Sequence, residues 1–193
     1  MNTIIGLAVG TGLSAACGLR VFIPLLGLSI AAMGGYLPLS QGFQWLGTWP
    51  ALIAFATATV LEICAYYIPW VDNMLDALMT PAAVAAGTIT TASMMGDVSP
   101  FLKWTAAIIA GGGISAIVQG GTVAIRAQSS AATGGMTNFM VSTVEFAGSV
   151  LLTVFAIVIP VICLIFVLWI CVFMFRKMMN SPRIKSLFPR KNE

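Results

Sequence analysis

A carboxylate inside an apolar run long enough to cross a membrane restricts a fold severely, and this chain has two. Glu62 lies within residues 50–69 and Glu145 within residues 138–176, neither with another acidic residue in its run. A charge near the bilayer centre costs at least a few kcal/mol on insertion scales, so it turns to a bundle interior or a water-filled cavity. The surroundings of the two rhyme, Thr59-Val60-Leu61-Glu62 against Ser142-Thr143-Val144-Glu145. This suggests two related halves with one acidic group each.

The rest of the chain agrees with a membrane class. It is 59% hydrophobic and 8% charged over 193 residues, far from the balance of a soluble domain. Apolar runs of about 18 or more residues recur, which argues for transmembrane helices. The formal net charge is +3, and six of the nine basic residues, from Arg176 to Lys191, fall in the last eighteen positions. The positive-inside rule puts that tail in the cytoplasm, as an anchor on anionic headgroups rather than a nucleic-acid arm.

The absence of histidine removes His-ligated haem, His-rich zinc sites and imidazole relays together. Cys17, Cys64, Cys163 and Cys171 lie in apolar runs without a CxxC pair, so they read as small buried hydrophobes. No cofactor is expected. Leu13-Ser14-Ala15-Ala16-Cys17 faintly resembles a lipoprotein cleavage box, but no Lys or Arg precedes it, so it is read as part of the first membrane helix.

Residues 3–34 as one helix would be about 48 Å long, more than the roughly 30 Å hydrocarbon core. This element is therefore steeply tilted, or broken near Gly18-Leu19-Arg20. Residues 36–49, with Tyr36, Trp45 and Trp49, read as an interfacial segment. Spans follow at 50–69, at 72–96 with a kink at Pro81, and at 101–127. Residues 128–137 form a polar loop, and 138–176 divides at Pro160 into two more spans.

Aligned without gaps, residues 10–34 and 111–135 share seven identities in twenty-five: Gly10, Gly12, Ser14, Ala15, Ser29, Ala31 and Gly34 match Gly111, Gly113, Ser115, Ala116, Ser130, Ala132 and Gly135. The expected fold is all-α and integral to a membrane. It has about six transmembrane helices in two inverted repeats, with the first helix of each half a candidate for a break. The divisions are 1–96, 97–178 and a basic cytoplasmic tail at 179–193. Five spans are the alternative count.

Ser14-Ala15-Ala16-Cys17-Gly18-Leu19-Arg20 followed by Phe22-Ile23-Pro24-Leu25-Leu26 resembles the opening of a bacterial membrane family catalogued as domain of unknown function 4126. The likeness continues through Leu61-Glu62, through Ile68-Pro69-Trp70-Val71-Asp72-Asn73-Met74-Leu75-Asp76, and through Ala131-Ala132-Thr133-Gly134-Gly135. That family often has an Arg before the proline at 81 and a charged or His residue after the glycines near 121. Here those positions are Thr80 and Thr122 or Val123. The resemblance implies a membrane fold and no particular activity.

Glu62 and Glu145 are candidates for a midplane acidic pair that binds a cation or cycles protons. Otherwise they are ion-paired with Arg20 and Arg126. Arg20, beside a candidate helix break, either receives an anionic solute group or holds a glutamate. Asp72 and Asp76 share a helix face at the start of a span, Asp72 as an N-cap and Asp76 near the dipole. The sharper alternative for the two aspartates is an ion mouth, or a Mg²⁺–diphosphate enzyme site, which lacks a second acidic motif. Thr133 and Asn138 could border a re-entrant turn that coordinates an ion.

The expected function is a small transporter or channel for a cation or small solute, not an enzyme. Its site comprises Glu62, Glu145, Arg20, Arg126, Asp72, Asp76, Thr133 and Asn138, and the metal is unassigned. The alternative is a lipid-handling or structural subunit whose buried charges hold helices together. The expected location is the bacterial inner membrane, C-terminus cytoplasmic. Expected partners are membrane lipids, a cation or small solute and further copies of the chain, with no nucleic acid.

Overall fold

A computed structural model describes residues 2–96, 98–134 and 136–179, except for the side chains at 69, 70, 72, 73, 174, 175 and 177–179. It is helical throughout, with no strand among the described residues. Proline and glycine set most of the boundaries. α1 (Thr3–Cys17) ends at Gly18, and α2 (Phe22–Met33) begins after four residues of irregular backbone. The break expected near Arg20 is thus present.

A loop containing a short 3₁₀ turn, Gln44–Gly47, leads to α3 (Trp49–Tyr66), with Pro50 in its first turn. α4 (Pro69–Met94) and α8 (Pro160–Met179) each open on proline, which has no N–H to leave unsatisfied. α5 (Pro100–Ala106) starts under a Ser99 cap and passes through a wide π-type turn, Ala107–Gly112, into α6 (Gly113–Thr133). Gly134, at φ 64°, ends α6 in a left-handed conformation that suits glycine. α7 (Asn138–Val158) is separated from α8 by Ile159, so the division expected at Pro160 is observed.

On α7 the inside–outside pattern is the reverse of a soluble protein's. The buried face of α7 is polar (Asn138, Ser142, Glu145, Ser149 and Thr153), at helical spacing. Its outward face carries Val144, Leu151, Val154 and Val158. Trp49–Tyr66, Pro100–Thr133 and Asn138–Val158 are long and apolar enough to cross a membrane, while Thr3–Cys17, Phe22–Met33 and Pro160–Phe173 are shorter apolar helices.

Contacts along α4 give the directions of its neighbours. Gly10 packs on Thr91, and the Ser14 hydroxyl meets Gly87, so α1 runs antiparallel to α4. Val21 and Leu25 cluster with Ala83 and Ala86, yet the loop after α2 returns Ser40 to Ser93. α7 reports the same reversal, with Ala156 against Gly12 and Thr153 against Gly27. α1 and α2 therefore form a hairpin whose tip, near Leu19–Arg20, ends inside the bundle.

This hairpin corrects the expected symmetry. Gly111 meets Gly87 and Thr91, and Gly18 meets Val118, so residues 10–18 and 111–118 run in the same sense. Their aligned serines even touch: Ser115 Oγ donates to the Ser14 carbonyl at 2.6 Å. Inverted copies would run in opposite senses. A hairpin that turns back midway adds no traverse, so the second half starts from the end where the first began. Nor is the second half broken as the first is, because α5 and α6 stay joined through the π-type turn. Asp97, Gly135 and the expected basic tail from 180 onward lie outside the described residues.

A buried charge cluster at the hairpin tip

Four elements bring charged groups to the hairpin tip. α3 contributes Glu62 and, one turn on, Tyr66; α4 contributes Asp76, α6 Arg126 and α7 Glu145. Arg20 comes from the tip itself. Arg20 is 1% exposed and Arg126 2% exposed, so both guanidinium groups rely on protein partners.

The carboxylates are held in three different ways. Glu145 and Arg126 form a two-pronged pair, Nε to Oε1 at 3.1 Å and Nη2 to Oε2. Asp76 accepts from the Tyr66 hydroxyl at 3.3 Å and lies 3.6 Å from Arg126 Nη1. Glu62 accepts the backbone N–H groups of Val21 and Phe22, at 2.8 and 3.1 Å. It thereby satisfies two otherwise unpaired N–H groups at the buried N-terminus of α2, where partial positive charge favours an anion.

Arg20 Nη2 donates to the Ser142 carbonyl at 3.1 Å and lies 3.7 Å from Glu145 Oε2. The guanidinium carbons of Arg20 and Arg126 stand 3.9 and 4.1 Å from the centre of the Tyr66 ring. One aromatic face system thus serves two cations. With every group ionised, these two arginines and three carboxylates carry one negative charge in excess. Among the described residues, no three His, Cys, Asp or Glu side chains converge to hold a metal ion.

The pattern of a known family matches residues 7–179, almost the whole length. The chain belongs to the family described as Domain of unknown function (DUF4126). No curated protein and no solved structure matches it.

In this DUF4126 chain, five of the sequence-derived site residues meet: Arg20, Glu62, Asp76, Arg126 and Glu145. Arg126 does pair with Glu145, as the ion-pair alternative anticipates, but Glu62 is held by backbone instead of Arg20. α4 starts at Pro69 with Ile68 at the capping position, so Asp72 is not its N-cap. The Asp72 side chain lies outside the described residues. Asp76 faces Tyr66 and Arg126 instead of serving the helix dipole.

Thr133 and Asn138 do not join the cluster. Thr133 Oγ1 donates to the Ser129 carbonyl, and Asn138 Nδ2 donates to Ser130 Oγ at 3.0 Å, closing the turn between α6 and α7. Asn138 is seven positions before Glu145, about 10 Å along the helix. Tyr66 and Ser142 are the members that sequence reasoning passed over. Their spacing carried a signal, Tyr66 four residues after Glu62 and Ser142 three before Glu145, each on the same helix face.

Proposed function

We propose that this protein is a small membrane transporter or channel for a cation or small solute. Its site is the cluster of Arg20, Glu62, Tyr66, Asp76, Arg126 and Glu145. The observation that carries this reading is the placement of five buried charged side chains at the tip of a hairpin that ends within the bundle. Irregular backbone at membrane depth is tolerated where protein or a cavity satisfies it, and broken helices meeting charged groups recur at transport sites. The excess carboxylate leaves room for one proton or one cation.

In the proposed disposition, α3, α4, α5–α6, α7 and α8 cross the membrane and the α1–α2 hairpin is re-entrant. Five crossings put residue 179 opposite the N-terminus. With the basic tail in the cytoplasm, the N-terminus then lies outside. The cluster is about 10 Å from the cytoplasmic helix ends and about 20 Å from the others, counting from Asn138 to Glu145 and from Glu145 to Val158. It is thus displaced from the expected midplane. A bacterial inner membrane and a homo-oligomer remain part of the proposal.

The test is cation and proton flux in proteoliposomes, comparing wild type with the Glu62→Gln/Glu145→Gln double variant. The expected result is flux in wild type and its loss in the double variant at equal folded amounts. Unchanged flux sinks the reading. The two-pronged Arg126–Glu145 pair favours a second reading, a lipid-handling or structural subunit. That reading expects wild type to carry no flux and lipid to co-purify in fixed ratio.

A further inference from the structure

The charge cluster is unevenly satisfied. Each of its carboxylates has donors: two backbone N–H groups for Glu62, Arg126 for Glu145, and the Tyr66 hydroxyl for Asp76. Among the described residues, the cluster groups left without a hydrogen-bond partner are all donors. They are Arg20 Nε, Arg20 Nη1 and Arg126 Nη1, the last still 3.6 Å from Asp76. On Arg20 this amounts to three of the five guanidinium N–H bonds.

Arg20 is 1% exposed, so bulk water does not reach these donors. A buried donor without an acceptor loses its hydration and gains nothing in return, which makes such groups rare in folded proteins. Arg20 does not lack anchorage. Ser142, Glu145 and the Tyr66 ring fix its Nη2 edge and one face. A buried guanidinium held along one edge, with no acceptor on Nε and Nη1, is prepared for a ligand that brings acceptors.

We infer that the site takes a small solute bearing an oxyanion group, a carboxylate foremost, and that Arg20 is the residue that binds it. The inference rests on the transport reading of the same cluster and names its substrate class. Guanidinium matches planar oxyanions better than an ammonium does. The negative excess of the cluster disfavours a bare anion, so the solute brings positive charge with it. It arrives either as a zwitterion or as an anion accompanied by a cation. A bare cation, by contrast, leaves the Arg20 donors unfilled.

The experiment is binding to the purified full chain in detergent, read as the rise in unfolding temperature with probe concentration, since a ligand of the folded state stabilises it. The probes are sodium acetate, glycine and choline chloride, against sodium chloride at matched ionic strength. The inference expects saturable stabilisation by acetate or glycine and none by choline. Stabilisation by glycine alone identifies a zwitterion, and by acetate as well, an anion with its cation. Arg20→Lys should weaken the response at least tenfold, and Arg20→Gln should abolish it.

Stabilisation by choline alone, or by none of the probes, overturns the inference, as does a response unchanged in Arg20→Lys. So would an experimental structure with ordered water on both Nε and Nη1 in saturating acetate. If Arg20→Gln does not fold, the wild-type response and Arg20→Lys still decide. Binding needs no flux, so loss of this inference is separable from loss of the transport reading. Flux without oxyanion binding removes only the former, and binding without flux only the latter.

Discussion

At the scale of single residues, the cluster separates pairing from function by substitution. Removing one partner of a buried ion pair leaves an uncompensated charge, whereas removing both does not. Arg126→Gln should therefore destabilise the protein by about 3–5 kcal/mol. Adding Glu145→Gln should recover only part of that loss, because Asp76 and Arg20 each still lose a charge partner, as measured by denaturant unfolding in detergent. A double variant no more stable than the single would show that the two-pronged pair is not what holds these helices. Tyr66 permits a finer dissection. Tyr66→Phe keeps the ring beside both guanidinium groups and loses the hydroxyl that donates to Asp76, costing about 1 kcal/mol. Tyr66→Leu also loses the two cation–π contacts and should cost about 1–2 kcal/mol more. Equal effects would remove the ring from the electrostatic account.

At the scale of elements, the crossing of α1, α4 and α6 depends on glycines that let backbones touch. A methyl group on Gly18 would sit 2.6 Å from Val118 Cβ and 2.8 Å from the Ser115 carbonyl, both on α6. One on Gly10 would sit 2.7 Å from Thr91 Cα on α4. Gly18→Ala and Gly10→Ala should each cost about 1–3 kcal/mol through overpacking. Gly120→Ala, with nothing within 4 Å, should be neutral or slightly stabilising. Thermal unfolding of the three variants checks this, and a Gly120 effect as large as the others would contradict it. The elements themselves were largely legible. Apolar runs with Pro50, Pro69, Pro100 and Pro160 place most of the helices, but α6 runs on through Thr133, six residues into the loop expected at 128–137. The direction in which α2 leaves Arg20 was not legible, because a kink and a reversal use the same Gly-Leu-Arg sequence. Only the partners of Val21, Gly27 and Ser40 distinguish them.

At the scale of the whole molecule, that one reversal carries the proposed topology. It replaces the six spans and inverted halves expected from the repeat by five proposed crossings with the two ends of the helical body on opposite faces. Single cysteines at Asn2 and Met136, in a background without native cysteines, should react with a membrane-impermeant maleimide from opposite sides of sealed vesicles. Labelling from one side would restore an even count. The site was legible in part for a related reason. Charges in apolar runs must converge, so Arg20, Glu62, Asp76, Arg126 and Glu145 could be named, but which one pairs with which depends on packing. Glu62 best separates function from scaffold, since its carboxylate is held by Val21 and Phe22 N–H groups instead of an arginine. The decisive measurement is solute-driven and ion-driven flux through Glu62→Gln in proteoliposomes, at reconstituted amounts matched to wild type. The account predicts a well-folded variant whose flux falls at least tenfold. Wild-type flux through Glu62→Gln would contradict it.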